Sequence, residues 1–204
     1  MTLRRFSTSN ITSGTKSHKM WDGETFPGYF ESIATVVVGS GGSEYIEFTS
    51  IPNTYTHLQI RCLSQENESG GTNTSYDNFV MRFNSDTGTN YARHHLNGDG
   101  ASAAAYGAAS VTYAYTGISQ RGGTSNLYFG ATIIDILDYA NTNKYKTVRA
   151  LSGADLNGSG NIRLASALWQ STSAITTIRI QSDGAPQWSL KQYSHFALYG
   201  IRSA

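Results

Sequence analysis

The sequence predicts an all-β fold for residues 28–204: an antiparallel β-sandwich, jelly-roll-like, of about ten strands, behind an extended N-terminal arm at residues 1–27. Three observations carry this. Apolar residues alternate with polar ones over short runs, the two-residue period of a strand with one buried face. Gly, Asn, Pro and Ser punctuate those runs, and the chain holds 21 Gly and 13 Tyr. No segment sustains a helical period over three turns. At 204 residues with 39% hydrophobic and 12% aromatic content, the chain can bury one sizeable core.

Taken in order, residues 1–27 show neither period. Their apolar members, among them Phe6, Trp21 and Phe26, stand alone in polar surroundings. Solitary aromatics in an extended polar segment suit anchors for pockets on a partner. The first twenty residues also carry Arg4, Arg5, Lys16 and Lys19 and no acid. Removing these four from the 15 basic side chains leaves 11 against 14 acidic ones, so a basic arm precedes a body of net charge −3.

From residue 29 the strand patterns follow one another. Residues 29–38 end at the turn cluster GSGGS, and 45–48 end near Pro52. Residues 55–63 alternate, with Leu58, Ile60 and Cys62 on one face and His57, Gln59 and Arg61 on the other. Residues 64–75 read as a polar surface loop that includes Glu66 and Glu68. Phe79, Met81 and Phe83 face inward, and 84–88 is a turn before the strand at 91–96. The small-residue stretch 101–110 reads as a loop. Residues 127–137 are apolar on both faces, as in a central strand covered on both sides, while 142–152 is more polar and reads as nearer an edge. Residues 162–169, 175–181 and 193–202 close the pattern. Leu58, Ile60, Phe79, Met81, Phe83, Ile134 and Ile136 are the expected core.

The net charge of +1 offers nothing global to nucleic acid or to an anionic membrane surface. One cysteine, Cys62, excludes an intramolecular disulfide, and its place in a strand pattern predicts a buried thiol. The longest apolar stretch, 33–38, falls far short of the roughly 20 residues of a membrane helix. These features predict a protein made in a cytoplasm, without a membrane partner.

No catalytic constellation, cofactor site or metal centre emerges. The histidines are His18, His57, His94, His95 and His195. The adjacent pair lies in a strand, so its two rings point to opposite faces and cannot share a metal. Asn84-Ser85-Asp86-Thr87-Gly88 begins like a calcium loop, but His95 stands where the bidentate acid belongs. Turn chemistry accounts for these residues, and a weak calcium there is the one metal left open. Glycan cleavage needs two carboxylates across one bond, and the pairs Glu44–Glu47, Glu66–Glu68 and Asp135–Asp138 do not share a concave face. Outward tyrosines, with Trp169 or Trp188, have the chemistry to stack on sugar rings, although a core or interface role is the simpler reading of such aromatics.

The strings FESIATVVVGSGGS (30–43), SIPNTYTHLQIR (50–61), FNSDTGTNYARHHLNGDG (83–100), ATIIDILDYANTNKYKTVR (131–149), LWQSTSAITTIRI (168–180) and FALYGIR (196–202) resemble a family of structural proteins of tailed bacteriophages, often of marine or cyanobacterial hosts. The resemblance spans residues 28–203. It implies a non-enzymatic virion component, such as a capsid decoration, tail-fibre or baseplate appendage, joined to other virion proteins or to copies of itself. Such appendages are commonly trimers. It brings no catalytic residues. A receptor-binding module for host surface glycan is the alternative it leaves open, and a glycan depolymerase is a more distant third.

Overall fold

The computed structural model describes residues 29–67, 76–122, 127–185 and 189–203. They form no helix and thirteen strands: β1 (Phe30–Val37), β2 (Tyr45–Phe48), β3 (His57–Asn67), β4 (Tyr76–Phe83), β5 (Tyr91–Gly98), β6 (Ala103–Val111), β7 (Ala114–Gly122), β8 (Gly130–Leu137), β9 (Lys146–Asp155), β10 (Gly160–Trp169), β11 (Ile178–Ser182), β12 (Ser189–Leu190) and β13 (His195–Ile201). Every ladder is antiparallel except one, a short parallel pairing of β3 with β7 at residues 65–67 and 120–122.

Two layers result. The larger runs β1-β13-β3-β8-β9-β10-β5-β6 and the smaller β2-β11-β4-β7. The far end of β3 leaves the first layer to pair with β7, which joins the two. β7 lies across β8, β9 and β10. Gly117 permits this approach, because a Cβ there would sit 2.7 Å from Thr132 Cγ2. The β9–β10 hairpin closes on Asn157 and Gly158, both at positive φ (58° and 119°), as a twisted hairpin turn demands.

The core fills the space between the layers. Leu58, Ile60, Phe79, Met81, Phe83, Ile134 and Ile136 are all fully buried, as expected. The Phe79 and Phe196 rings meet edge to face at 5.9 Å across the layers, and Phe83 packs on Trp169 at 5.4 Å. The backbone N–H of Phe83 donates to the Tyr91 hydroxyl at 3.1 Å, so this buried ring keeps its polar end satisfied. Cys62 is buried as expected, and burial pushes its thiol up to about 12.

Several expectations are corrected. Residues 103–111 are a strand: Ala and Gly have weak strand preference, but register pairing with β5 from Tyr91 to Gly98 overrides it. Residues 114–122 and 189–190 are further strands that the polar sequence hid, which takes the count from about ten to thirteen. β9 lies in the interior of its layer, between β8 and β10. Its polar look comes partly from Lys146, which is buried and donates from Nζ to the carbonyls of Asn141, Lys144 and Thr172 at 2.6–3.2 Å. β8 is covered on one side only, with Ile134 and Ile136 inside and Ile133 and Leu137 outside. Residues 64–67 belong to β3, and Ser64, Gln65 and Glu66 are fully buried.

Candidate functional site

Strand alternation gives the larger layer an outer side that no described element covers. Along β9 and β10 the bulky outward residues Leu151, Ile162 and Leu164 have polar or small inner neighbours. The register aligns Ile133 with Leu151, Leu151 with Leu164, Leu164 with Leu96, and Leu96 with Ala105. These four aliphatic side chains, on four successive strands, are 42%, 52%, 51% and 53% exposed. The neighbouring row runs Leu63, Ala131, Gly153, Ile162, Gly98 and Ala103, with Leu63 and Ile162 more than half exposed. A shallow groove of about 500 Å³ runs beside Leu63, Ile133, Leu151 and Ile162. A second, of about 790 Å³, lies beside Leu96, Leu137 and Leu164.

Polar groups frame this field. Arg149 Nη2 contacts Asp135 Oδ2 at 3.0 Å, and Gln59 Nε2 donates to Asp135 Oδ1 at 2.8 Å. On the other flank the Arg61 guanidinium lies 5.4 Å from the Phe30 ring centre. Cross-strand pairing thus leaves the charges mutually engaged and the aliphatic rows free.

The inner side of the same layer turns polar where β10, β5 and β6 run past the smaller layer. There Arg93, His95, Asn97 and Arg163 line a cleft of about 460 Å³ with Tyr76, Tyr106 and Tyr115. Arg163 is buried, donates from Nε to Asn97 Oδ1 at 2.6 Å, and is bonded to Asn78 Oδ1. The Arg93 guanidinium lies 3.5 Å from the Tyr115 ring centre, and Tyr115 donates to Asp183 Oδ2 at 2.5 Å. Burial, then the charges of Arg163 and Arg93, press the His95 pKa down to about 4. The ring is therefore neutral at physiological pH.

A third concentration of polarity sits inside, where β3, β4, β7 and β11 meet. Glu66, Asp77, Ser119, Gln120 and Ser182 are all buried. Ser182 Oγ lies 3.0 Å from Glu66 Oε2 and 2.7 Å from Asp77 Oδ2. Burial, then the neighbouring Asp77 charge, raises the Glu66 pKa to about 8. One hydroxyl proton cannot serve two oxygens. A protonated Glu66 resolves this by donating to Ser182, which donates onward to Asp77. Asp77 also accepts the Gly184 and Asn78 N–H groups at 3.1 and 2.8 Å and faces Arg121 at 3.6 Å. Asp77 is bound up in internal hydrogen bonds, and Glu66 is tied to it through Ser182.

The residues singled out from sequence fare differently. Arg4, Arg5, Phe6, Lys16, Lys19, Trp21 and Phe26 lie outside the described residues, as do Trp188 and Glu68. Trp169 is a core ring, which removes it as a stacking surface; its Nε1 donates to Asp86 Oδ2 at 2.7 Å. Asp86 also takes the Gly88 N–H at 2.8 Å and Asn90 Nδ2 at 3.0 Å. Against the upward push of burial, these bonds hold its carboxyl below the usual range. Asn84 Oδ1 accepts from the N–H groups of Thr176 and Thr177. The segment therefore works as a turn clamp. Asp135 pairs with Arg149, and Asp138 with Lys144 and His57. Among the described residues no three His, Cys, Asp or Glu side chains gather as metal ligands.

Nothing in the sequence alone singles out Arg93, Arg163 or Tyr106, and it offers His95 only as a histidine that neither shares a metal with His94 nor completes a calcium loop. The one signal there is the alternation Arg93-His94-His95-Leu96-Asn97, which sets basic and amide groups on one face of β5. The outer rows were equally hidden, because the strand at 162–169 invites placing Ile162 and Leu164 inside and Arg163 outside, the reverse of what is found. No protein-family model, curated protein or solved structure matches this chain.

Proposed function

We propose that this chain is a non-enzymatic structural module of a tailed-phage virion, and that it assembles with copies of itself through the outer side of its eight-strand layer. The virion setting rests on the resemblance of the strings quoted above. The assembling role rests on one observation: the cross-strand row Ile133–Leu151–Leu164–Leu96, exposed on four adjacent strands.

Contiguous apolar patches above a few hundred Å² mark interaction sites in folded proteins. Seven half-exposed aliphatic side chains here, counting Leu63, Ile162 and Leu137, present on the order of 600 Å². A standard interface buries roughly 800 Å² per partner. A flat field of this size suits its own copy, because the Asp135–Arg149 charges beside it are already paired and Arg61 lies at its flank. Face-to-face packing makes a dimer. In the trimer common among phage appendages each face would meet a different surface of its neighbour, for which the uncharged edge strand β6 is suited.

Sedimentation of the full chain tests this. The native protein should sediment as an oligomer at micromolar concentration, and Leu151→Asp combined with Leu164→Asp should give the 22.1 kDa monomer. A monomeric native protein, or an unchanged mass in the double variant, would sink the reading.

A further inference from the structure

We propose that the cleft beneath β5 and β6 binds a carboxylate-bearing sugar, with Arg93 holding the carboxylate and Tyr106 stacking on the ring. The cleft lies on the inner side of the layer, and its edge residues His95 and Tyr106 also border the outer groove beside Leu96 and Leu164.

The charge comes first. Arg93 and Arg163 line the cleft, and among the described residues no acid does. The nearest carboxylates are engaged elsewhere: Asp77 by Ser182, Gly184 and Arg121, and Asp183 by the Tyr115 hydroxyl. A small concave space with two guanidinium groups and no acid in its lining favours an anion.

The donors narrow the choice. Arg163 is already spent on Asn97, Asn78 and the Gly117 carbonyl. Arg93 Nη1 and His95 Nδ1, by contrast, are buried polar atoms without a hydrogen-bond partner. Buried polar atoms in that state are costly unless something completes them. One guanidinium nitrogen without a hydrogen-bond partner, on an Arg93 group held between the Tyr113 and Tyr115 rings and beside a neutral imidazole, matches a singly charged planar carboxylate better than a phosphate dianion.

Tyr106 supplies the stacking surface. It is 57% exposed at the mouth, and its ring is backed by His95 at 5.1 Å. The Tyr115 ring is already covered by Arg93. The amides of Asn78 and Asn97 and the hydroxyl of Tyr76 complete a lining suited to sugar hydroxyls. The volume of about 460 Å³ lies within the roughly 300–1,000 Å³ of small-ligand sites.

Titration calorimetry on the full chain decides the matter, with glucuronate, galacturonate and N-acetylneuraminate as ligands. Their methyl esters, the neutral parent sugars and inorganic phosphate serve as controls. At least one acid sugar should bind, its ester should not, and rising salt should weaken binding. Arg93→Gln should cost about 10- to 100-fold in affinity, the worth of a hydrogen bond to a charged group. Tyr106→Ala, on an exposed edge strand, should cost about three- to tenfold and stands in for Arg93→Gln if that variant does not fold. The proposal is overturned by equal binding of ester and acid, by phosphate binding as tightly, by binding indifferent to both substitutions, or by no binding of any acid sugar.

Discussion

The two sides of the eight-strand layer are built from comparable apolar material, yet only one is covered. In β8 the inner Ile134 and Ile136 answer the outer Ile133 and Leu137. In the middle of β9 and β10 the larger aliphatics are on the outside: Leu151, Ile162 and Leu164 face out, while Ala150, Ala165 and Ala167 face in. The inner residues are small because β7 lies close above them, with Gly117 against Thr132. Hydrophobicity alone therefore does not say which side of a strand is the core; the space left by the opposing layer does. A side carrying the larger aliphatics without a covering layer is a side made for another surface.

The sharpest contrast is energetic, and its inner limb should be largest. Phe83→Ala empties a fully buried site between Trp169 and Tyr91 and should cost about 3–5 kcal/mol. Urea unfolding of the variant measures it. A loss below about 1 kcal/mol would mean that the inner side is not the core.

The inner side is also uneven, and pH should expose this. The Glu66 pKa is about 8 in the folded protein against an ordinary 4.5. Between those values the unfolded chain has released the proton and the folded chain still holds it. This contribution to stability is therefore fully present below pH 4.5 and falls by about 1.4 kcal/mol per unit up to pH 8. Glu66→Gln keeps a donor toward Ser182 and has no proton to lose. The variant should be stabilised over the native protein by a few kcal/mol at pH 8 and by little at pH 5. Parallel midpoints for the two proteins at both pH values would refute the internal hydrogen-bond chain.

What could be read from the sequence follows the same division. The all-β class and the inner positions of β3 and β4 are legible, because Leu58 and Ile60 alternate with polar residues and Phe79, Met81 and Phe83 recur at every second position. Glu66 is not, since a carboxyl in a polar stretch reads as surface, and its burial depends on Asp77, Ser119 and Ser182 arriving from three other strands. From sequence β6 reads as a loop because nothing local to its alanines holds them extended; β5 does. The cleft was legible only in part. Arg93, His95 and Asn97 share a face by alternation, but Arg163 and Tyr106 reach them through pairing across β10 and β6.

The smallest effect should come from the outer side, and it carries the functional argument. Leu151 is half exposed, so Leu151→Lys removes little packing within one copy and should change the stability of dilute protein by no more than about 0.5 kcal/mol. Its consequence lies in association. A partner that binds only the folded state raises the melting temperature as concentration rises, by mass action. The native protein should therefore melt higher at 100-fold greater concentration, while Leu151→Lys should melt at one temperature throughout, equal to the native value at high dilution. A reference substitution keeps this from being a general surface effect: Tyr193→Lys, at an exposed turn before β13 and off the aliphatic rows, should leave the native concentration dependence intact. If Leu151→Lys instead lowered stability by several kcal/mol at high dilution, the outer rows would be part of the core of a single copy, and the two sides of the layer would not differ in the way their exposure describes.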